Sequence, residues 1–313
     1  MKGLDLSRAY YEEYGKPVLE AQFSACLPYL AVGLFGAGSE CFGFDDAVSR
    51  DHDFEPGFCI LLPDESLVDR RTAFLMEREY ARLPKEFMGI SREILAPVGG
   101  MRRGVLRTSE VFLDMVGSPN GELSIEQWIT VPEQGLAEAT NGQIFFDSYG
   151  DVTRIRDRLA YYPEDVRLKR MAGHLLLMAQ AGQYNYRRCL EHHEPAAAQL
   201  AIFAFVESAM SVFFLLNRRY QPFYKWRFRA FRELNGTETT ARWMEFMLTT
   251  ANDKASGARK RDLIERIAEQ VIRILGEKGL THSASADLEL HAYSLNDRIH
   301  DPNLRNMHIL AAV

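Results

Sequence analysis

Gly38-Ser39 and the pair Asp51 and Asp53 are the residues of this chain best suited to chemistry. On an extended strand successive side chains alternate faces, so Asp51 and Asp53 are expected on one face, with His52 and Phe54 on the other. Neighbouring carboxylates repel each other and lose hydration when brought together. A divalent cation removes that conflict, and Mg²⁺ prefers oxygen ligands with phosphate completing its shell. Upstream runs Leu34-Phe35-Gly36-Ala37-Gly38-Ser39-Glu40, where Gly36 and Gly38 let the backbone turn and approach a ligand closely. Ser39 stands where a helix is expected to begin, with its hydroxyl and the first free N–H groups available to phosphate oxygens. Glu40 in that first turn would complement the helix dipole. The chemistry predicted is a phosphate cradle feeding a metal-binding carboxylate pair.

This arrangement resembles the polymerase-beta-type nucleotidyltransferase superfamily. The shared features are Gly-Ser after an apolar strand, Asp-x-Asp on the next, and the eleven residues Glu40 to Arg50 between them. The fuller string Gly38 to Asp46, followed by Ser49 to Phe54, resembles more narrowly an uncharacterised bacterial branch. That branch is known as a domain of unknown function and is related to the antibiotic nucleotidyltransferases. Tyr161-Tyr162-Pro163 and the run Leu216 to Trp226 echo it too, so the likeness spans most of the chain.

The resemblance implies Mg²⁺-dependent transfer of a nucleoside monophosphate from ATP or another NTP to a hydroxyl acceptor, with pyrophosphate leaving. It makes Asp51 and Asp53 the metal ligands, for one or two ions. Gly36, Gly38 and Ser39 become the phosphate contacts, and Lys225, from a helical domain, reaches the distal phosphates. A solvated helix lysine is the alternative for Lys225. The superfamily also places a third acidic residue on the strand after the intervening helix, yet Val98 to Thr108 contains no carboxylate. Glu93, Glu110, Asp114 and Asp147 are the nearest substitutes. Asp147, ending the apolar run Ile144-Phe145-Phe146, is the candidate third catalytic carboxylate. The absent acid motivates a second reading, a catalytically impaired nucleotide-binding module acting as a sensor or partner-binding protein. A third, RNA cleavage by the helical half, lacks the required arginine-to-histidine spacing among Arg298, His300, Arg305 and His308.

Composition bounds these readings. The 313 residues are 47% hydrophobic and 26% charged, typical of a globular chain with a sizeable core. A net charge of −6 argues against a general nucleic-acid coat. Nucleotide and a small-molecule acceptor are the expected partners, with a protein acceptor as an alternative. The start Met1 to Leu6 lacks a signal-peptide core, and the four scattered cysteines show no metal spacing, so a cytoplasmic location is expected. Ala196 to Leu216 is apolar enough for a membrane span. It carries Gln199, Glu207 and Ser208, however, and reads better as a bundle core helix in which Glu207 needs a cationic partner.

The elements that must position these residues form an α+β chain. Residues 1–160 are expected to hold a nucleotidyltransferase-like mixed sheet flanked by helices, and 161–313 an all-α bundle. Strands are expected at Ala31 to Phe35, Asp51 to Leu62, Val98 to Thr108 and Gln143 to Asp147. A helix capped by Asp64 or Ser66 should reach Leu83, where Pro84 closes it. Helical patterns run at 5–26, with Pro17 in a first turn, then 167–181, 196–219, 223–234, from Ile264 to Leu275 and from Leu288 to Ile299. Asn252 to Lys260 reads as a loop. Trp226 and Trp243 read as core anchors, and His52 as a packing residue.

Overall fold

Among the described residues six short strands form in chain order: β1 (Ala31–Leu34), β2 (Cys59–Leu62), β3 (Glu86–Phe87), β4 (Ile90–Ser91), β5 (Gly104–Arg107) and β6 (Gln143–Asp147). They belong to a computed structural model that describes residues 1–48, 54–92 and 103–313. Four of them build one sheet in the order β5-β2-β1-β6. β1 runs antiparallel to both neighbours, pairing Ala31 with Leu61 on one side and Ala31 with Asp147 on the other. β2 and β5 are parallel, from Cys59 opposite Gly104 to Leu62 opposite Arg107. β1 and β2 are buried along their whole length, which is why they read as continuous apolar runs rather than alternating ones. Gly33 marks the β1–β6 register shift; a Cβ there would lie 2.6 Å from the Gln143 carbonyl oxygen.

Helices flank this sheet. They are α1 (Gly3–Tyr10), continued by a π-helical turn over Tyr11–Gly15, α2 (Lys16–Gln22), α3 (Arg70–Arg82) and α4 (Thr108–Val116). After α5 (Ile125–Thr130) come α6 (Glu133–Thr140) and α7 (Asp151–Arg158). The expected mixed sheet followed by a helical bundle is what the chain forms. Tyr10, Phe58, Ile60, Leu62, Met76 and Tyr80 are central to the first core. Asp69, not Asp64 or Ser66, caps α3 by accepting from Thr72 N at 2.7 Å. Asp64 instead accepts from Ser66 N and closes its own turn. Two compact units result: Met1–Leu123 with Val131–Ala160, and Ser124–Thr130 with Tyr161–Val313. The short helix α5 thus packs with the second unit, although the sequence groups it with the first.

The second unit is helical. α8 (Glu164–Met178) runs through a π-helical segment, Ala179–Tyr186, into α9 (Arg187–Glu191). There follow α10 (Pro195–Leu216), α11 (Tyr224–Arg232), α12 (Glu238–Thr249), α13 (Lys254–Glu277), α14 (Leu288–Asn296) and α15 (Pro302–Asn306). α10 is long and apolar enough to cross a membrane, but 72% of its most apolar stretch is buried inside the unit. It is the core helix of the bundle. Its Gln199 is accounted for by a buried lysine. Lys260 Nζ donates to Gln199 Oε1 at 3.0 Å, Asn252 Oδ1 at 3.0 Å and the Thr250 carbonyl at 2.8 Å. This corrects the expected loop at 252–260. Asp253 caps α13 through Ala255 N and Ser256 N, and the helix has begun by Lys254. The polar string there is a cap followed by a helix whose Lys260 turns inward.

Replacing Lys260 by Met would remove one of two donors from each amide oxygen, since Gln199 Oε1 keeps Asn252 Nδ2 and Asn252 Oδ1 keeps Tyr186 Oη, and would take the ammonium from the Thr250 carbonyl. Lys260→Met should therefore lower the unfolding free energy by about 1–3 kcal/mol in urea titrations. A loss within experimental error would show that the ammonium is not an anchor.

Candidate functional site

The turn after β1 is held from far along the chain. Gly36 has φ of +116°, open to glycine and strained for other residues. Its N–H donates to Asn141 Oδ1 at 2.8 Å, and its carbonyl accepts from Asn141 Nδ2 at 2.8 Å. One amide side chain thus pairs both backbone groups of Gly36. Arg156 holds Asn141 in turn by donating to the carbonyls of Thr140 and Asn141, each at 2.7 Å, with its guanidinium 5.5 Å from the Phe35 ring. Burial pushes the Arg156 pKa down from its ordinary value. Asn141 was invisible as a site residue because no local pattern links it to Gly36, 105 positions away.

Ser39 departs from expectation. Only one 3₁₀ turn follows it, Glu40–Phe42, ended by Gly43 at φ +74°, and the Ser39 side chain makes no capping hydrogen bond. The chain stops there because it is drawn back towards α1. Asp45 Oδ2 accepts from Gly3 N at 2.9 Å, and Lys2 Nζ lies 3.2 Å from Asp45 Oδ1. Asp45 is therefore buried and paired rather than part of a solvated loop. Glu40 is not a first-turn surface charge either. Its carboxylate folds back against Gly38, where a Cβ would collide with it, and it pairs with Arg103 Nη2 at 3.1 Å. The two side chains are only 6% and 10% exposed.

Arg103 immediately precedes β5, and its Nη1 also lies 3.5 Å from Glu55 Oε1. β1 ends, and β2 and β5 begin, at the same end of the sheet. The glycine turn, Gly57 and Arg103 therefore gather there. Ser7 Oγ donates to the Gly57 carbonyl at 2.5 Å, and Tyr80 Oη donates to the Phe58 carbonyl at 2.8 Å while accepting from Phe58 N at 3.1 Å. The expected strand from Asp51 is corrected in its described part. β2 begins at Cys59, and Pro56-Gly57 bends the chain before it. Asp51, His52 and Asp53 lie outside the described residues, as do Glu93 and Val98 to Arg102.

Asp147 ends β6 as expected but sits elsewhere. It pairs with Ala31, at the opposite end of β1 from Gly36, roughly 10 Å away along three strand residues. Its carboxylate accepts from Gly150 N, Thr153 N and Thr153 Oγ1 at 2.8, 2.8 and 2.6 Å, capping the turn into α7. That role accounts for the residue without a metal. Glu110 and Asp114 are exposed on α4. Among the described residues no group of three His, Cys, Asp or Glu side chains could hold a metal ion.

Lys225 lies in the first turn of α11, exposed, with Nζ 5.1 Å from the Trp226 ring. In the same unit, the rings of Tyr161, Tyr162 and Tyr220 pack edge-on or tilted against one another, with centroids 4.9 to 5.4 Å apart. Glu207 has the cationic partner its sequence position called for, Arg227 Nη1 at 2.9 Å, although the glutamate is 67% exposed. Trp226 and Trp243 are half-buried. His174 on α8 has no persuasive spacing to the other histidines in the sequence. Burial, with the charges of Arg170 and Arg227, pushes its pKa down to about 3.

One family model matches roughly a third of the chain. Residues 128–227 match a family model described as a domain of unknown function, DUF4037. No curated protein matches the chain. The DUF4037 match contains Tyr161-Tyr162-Pro163 and Leu216 to Trp226, two of the segments on which the narrower resemblance rests. It does not reach Gly38-Ser39 or Asp51 and Asp53. It carries no link of its own to the antibiotic nucleotidyltransferases or to the polymerase-beta superfamily.

Two outcomes follow. Removing one member of a buried ion pair strands the other, so Arg103→Met should cost about 3–5 kcal/mol, whereas Glu40→Met with Arg103→Met should recover most of that loss. Equal losses in the single and double variants would show that the pair is not coupled. For His174 the folded pKa lies below the unfolded value near 6.5, so the unfolded chain binds more protons between them. Stability is full above about pH 6.5 and falls as pH drops, by up to about 1.4 kcal/mol per unit. Urea titrations from pH 7 to 4 should show that fall, and His174→Gln should flatten it.

Proposed function

We propose that the first unit is a nucleotide-binding module of nucleotidyltransferase-like architecture without a complete transfer centre, whose bound nucleotide governs contacts with a partner protein. The observation that carries this reading is the chain entering β5. This strand, parallel to β2, matches the position of the superfamily's third acidic residue, and its described residues Arg103–Arg107 offer two arginines and no carboxylate. Arg103 is committed to Glu40 and Glu55. A fixed guanidinium repels a divalent ion where a third ligand would attract one. The described residues therefore do not fit a full metal centre.

The ligand in this reading is a Mg²⁺-bound nucleoside triphosphate, ATP or another. Asp51 and Asp53 hold its ion, and the backbone at Gly36, Gly38 and Ser39 meets its phosphates. The tether of Gly36 to Asn141 supports this, because a backbone fixed before the ligand arrives loses less entropy on binding. A second reading keeps catalysis: transfer of a nucleoside monophosphate to a hydroxyl of a small molecule or protein, with Lys225 on the distal phosphates. The glycine turn following β1 in a mixed sheet of nucleotidyltransferase-like order favours it.

Calorimetry with each NTP and Mg²⁺, alongside a pyrophosphate-release assay over a broad acceptor screen, separates the two. Binding without turnover is expected, and pyrophosphate release would replace this reading with the transferase. Asp51→Asn with Asp53→Asn should weaken Mg·NTP binding roughly a hundredfold, about 2.7 kcal/mol, and leave the melting temperature near that of the parent. Unchanged affinity in that variant would contradict both readings.

A further inference from the structure

The turn from Gly36 to Cys41 is gripped at both ends by one dipeptide. β1 ends at Leu34, which pairs with Gln143 at the start of β6, so Asn141 and Gly142, just before that strand, arrive beside the turn. Asn141 takes both backbone groups of Gly36, at 2.8 Å each, and Gly142 N donates to the Cys41 carbonyl at 2.9 Å. Gly142 can come this close because it has no Cβ, which would collide with the Leu34 carbonyl. Arg156 on α7 then fixes the backbone from which the Asn141 amide projects, its Nη2 donating to the carbonyls of Thr140 and Asn141.

Between the two grips lie Ala37, Gly38, Ser39 and Glu40. None of their backbone N–H groups has an acceptor among the described residues. Ala37 is exposed and Ser39 half-buried, so the turn reaches the surface. The Glu40 carboxylate beside Gly38 is neutralised by Arg103. Successive backbone N–H groups in a turn suit an anion, and donors held in place beforehand bind it at a smaller entropic cost than a mobile loop would. Strand pairing does not need these grips, because β1 and β6 are already joined from Ala31–Asp147 to Leu34–Gln143. What Asn141 and Gly142 add is the shape of the turn.

We propose that Asn141 and Arg156 are positioning residues for phosphate recognition: Asn141 sets the turn, and Arg156 acts through Asn141 and does not touch the ligand. This role rests on the nucleotide reading of the first unit. It places the control of phosphate affinity more than a hundred positions from the glycine turn, on the α6–β6 connection and on α7.

The test is calorimetry with Mg²⁺ and each NTP on the parent, Asn141→Ala, Arg156→Met and the double variant, under conditions where urea titration shows each to be folded. Asn141→Ala should weaken the bound Mg·NTP about tenfold or more and Arg156→Met about threefold or more. Because both act through one side chain, the double variant should bind as Asn141→Ala does, within about twofold. In ¹⁵N relaxation, Ala37 to Glu40 should become more mobile in Asn141→Ala while β1 and β2 stay as in the parent. Parent affinity in folded Asn141→Ala, or in folded Arg156→Met alone, would overturn the positioning role and leave the nucleotide reading standing. Losses that add in the double variant would show Arg156 touching the ligand and overturn its indirect role. A parent protein that binds no Mg·NTP would overturn the nucleotide reading and this role with it.

Discussion

The ion pair between Glu40 and Arg103 is the constraint on which this end of the sheet depends. Taking two charges out of water is costly, and only a close, fixed geometry offsets that cost. Arg103 reaches Glu40 because β5 lies parallel to β2, and it crosses Gly57 to do so; a Cβ on Gly57 would sit 2.5 Å from the Arg103 side chain. Glu40 reaches Arg103 because the chain after β1 turns through a single 3₁₀ turn, and Gly38 leaves space for the carboxylate to fold back. Three segments separated by tens of residues are thus locked by one pair of charges. The same pair fixes a guanidinium at the start of β5, and under the proposed function that cation stands where a third acidic ligand would be needed.

The second unit uses polar anchors in the same manner. Lys169 Nζ donates to Asn296 Oδ1 and to the Met307 carbonyl, tying α8 to α14 and the C-terminal segment. His291 bridges Thr281 Oγ1 and the Ser285 carbonyl through its two ring nitrogens, pinning the segment before α14. Each is a buried polar group whose partners are backbone or neutral side chains, so position is specified without a buried ion pair.

Much of the fold was legible in the sequence. β6 runs from Gln143 to Asp147 as its apolar run Ile144-Phe145-Phe146 implies, β1 follows its apolar run, and α10, whose apolar stretch Gln199 and Glu207 interrupt, is a core helix. Pro17 does not open a separate helix: Gly15 and Lys16 before it are already helical, and its missing N–H falls where the π-helical turn passes into α2. Errors arose where local rules met distant partners. Asp64 and Ser66 look like helix caps, but Asp69 wins because α3 starts later. Glu40 reads as a surface charge until Arg103, 63 positions on, is brought to it. Asn141 has no local signature at all, since its function is to pair a glycine backbone across the fold. Asp147 ends its strand as the apolar run implies, and the antiparallel register places it at the end of β1 opposite Gly36.

The most direct test of the central claim is a crystal structure with Mn²⁺ and a non-hydrolysable ATP analogue, recorded at a wavelength where manganese scatters anomalously. The account predicts a manganese peak between the carboxylates of Asp51 and Asp53, phosphates against Gly38 and Ser39, and Arg103 still paired with Glu40. A nucleotide bound elsewhere, or a carboxylate displacing Arg103 to complete the metal shell, would contradict it.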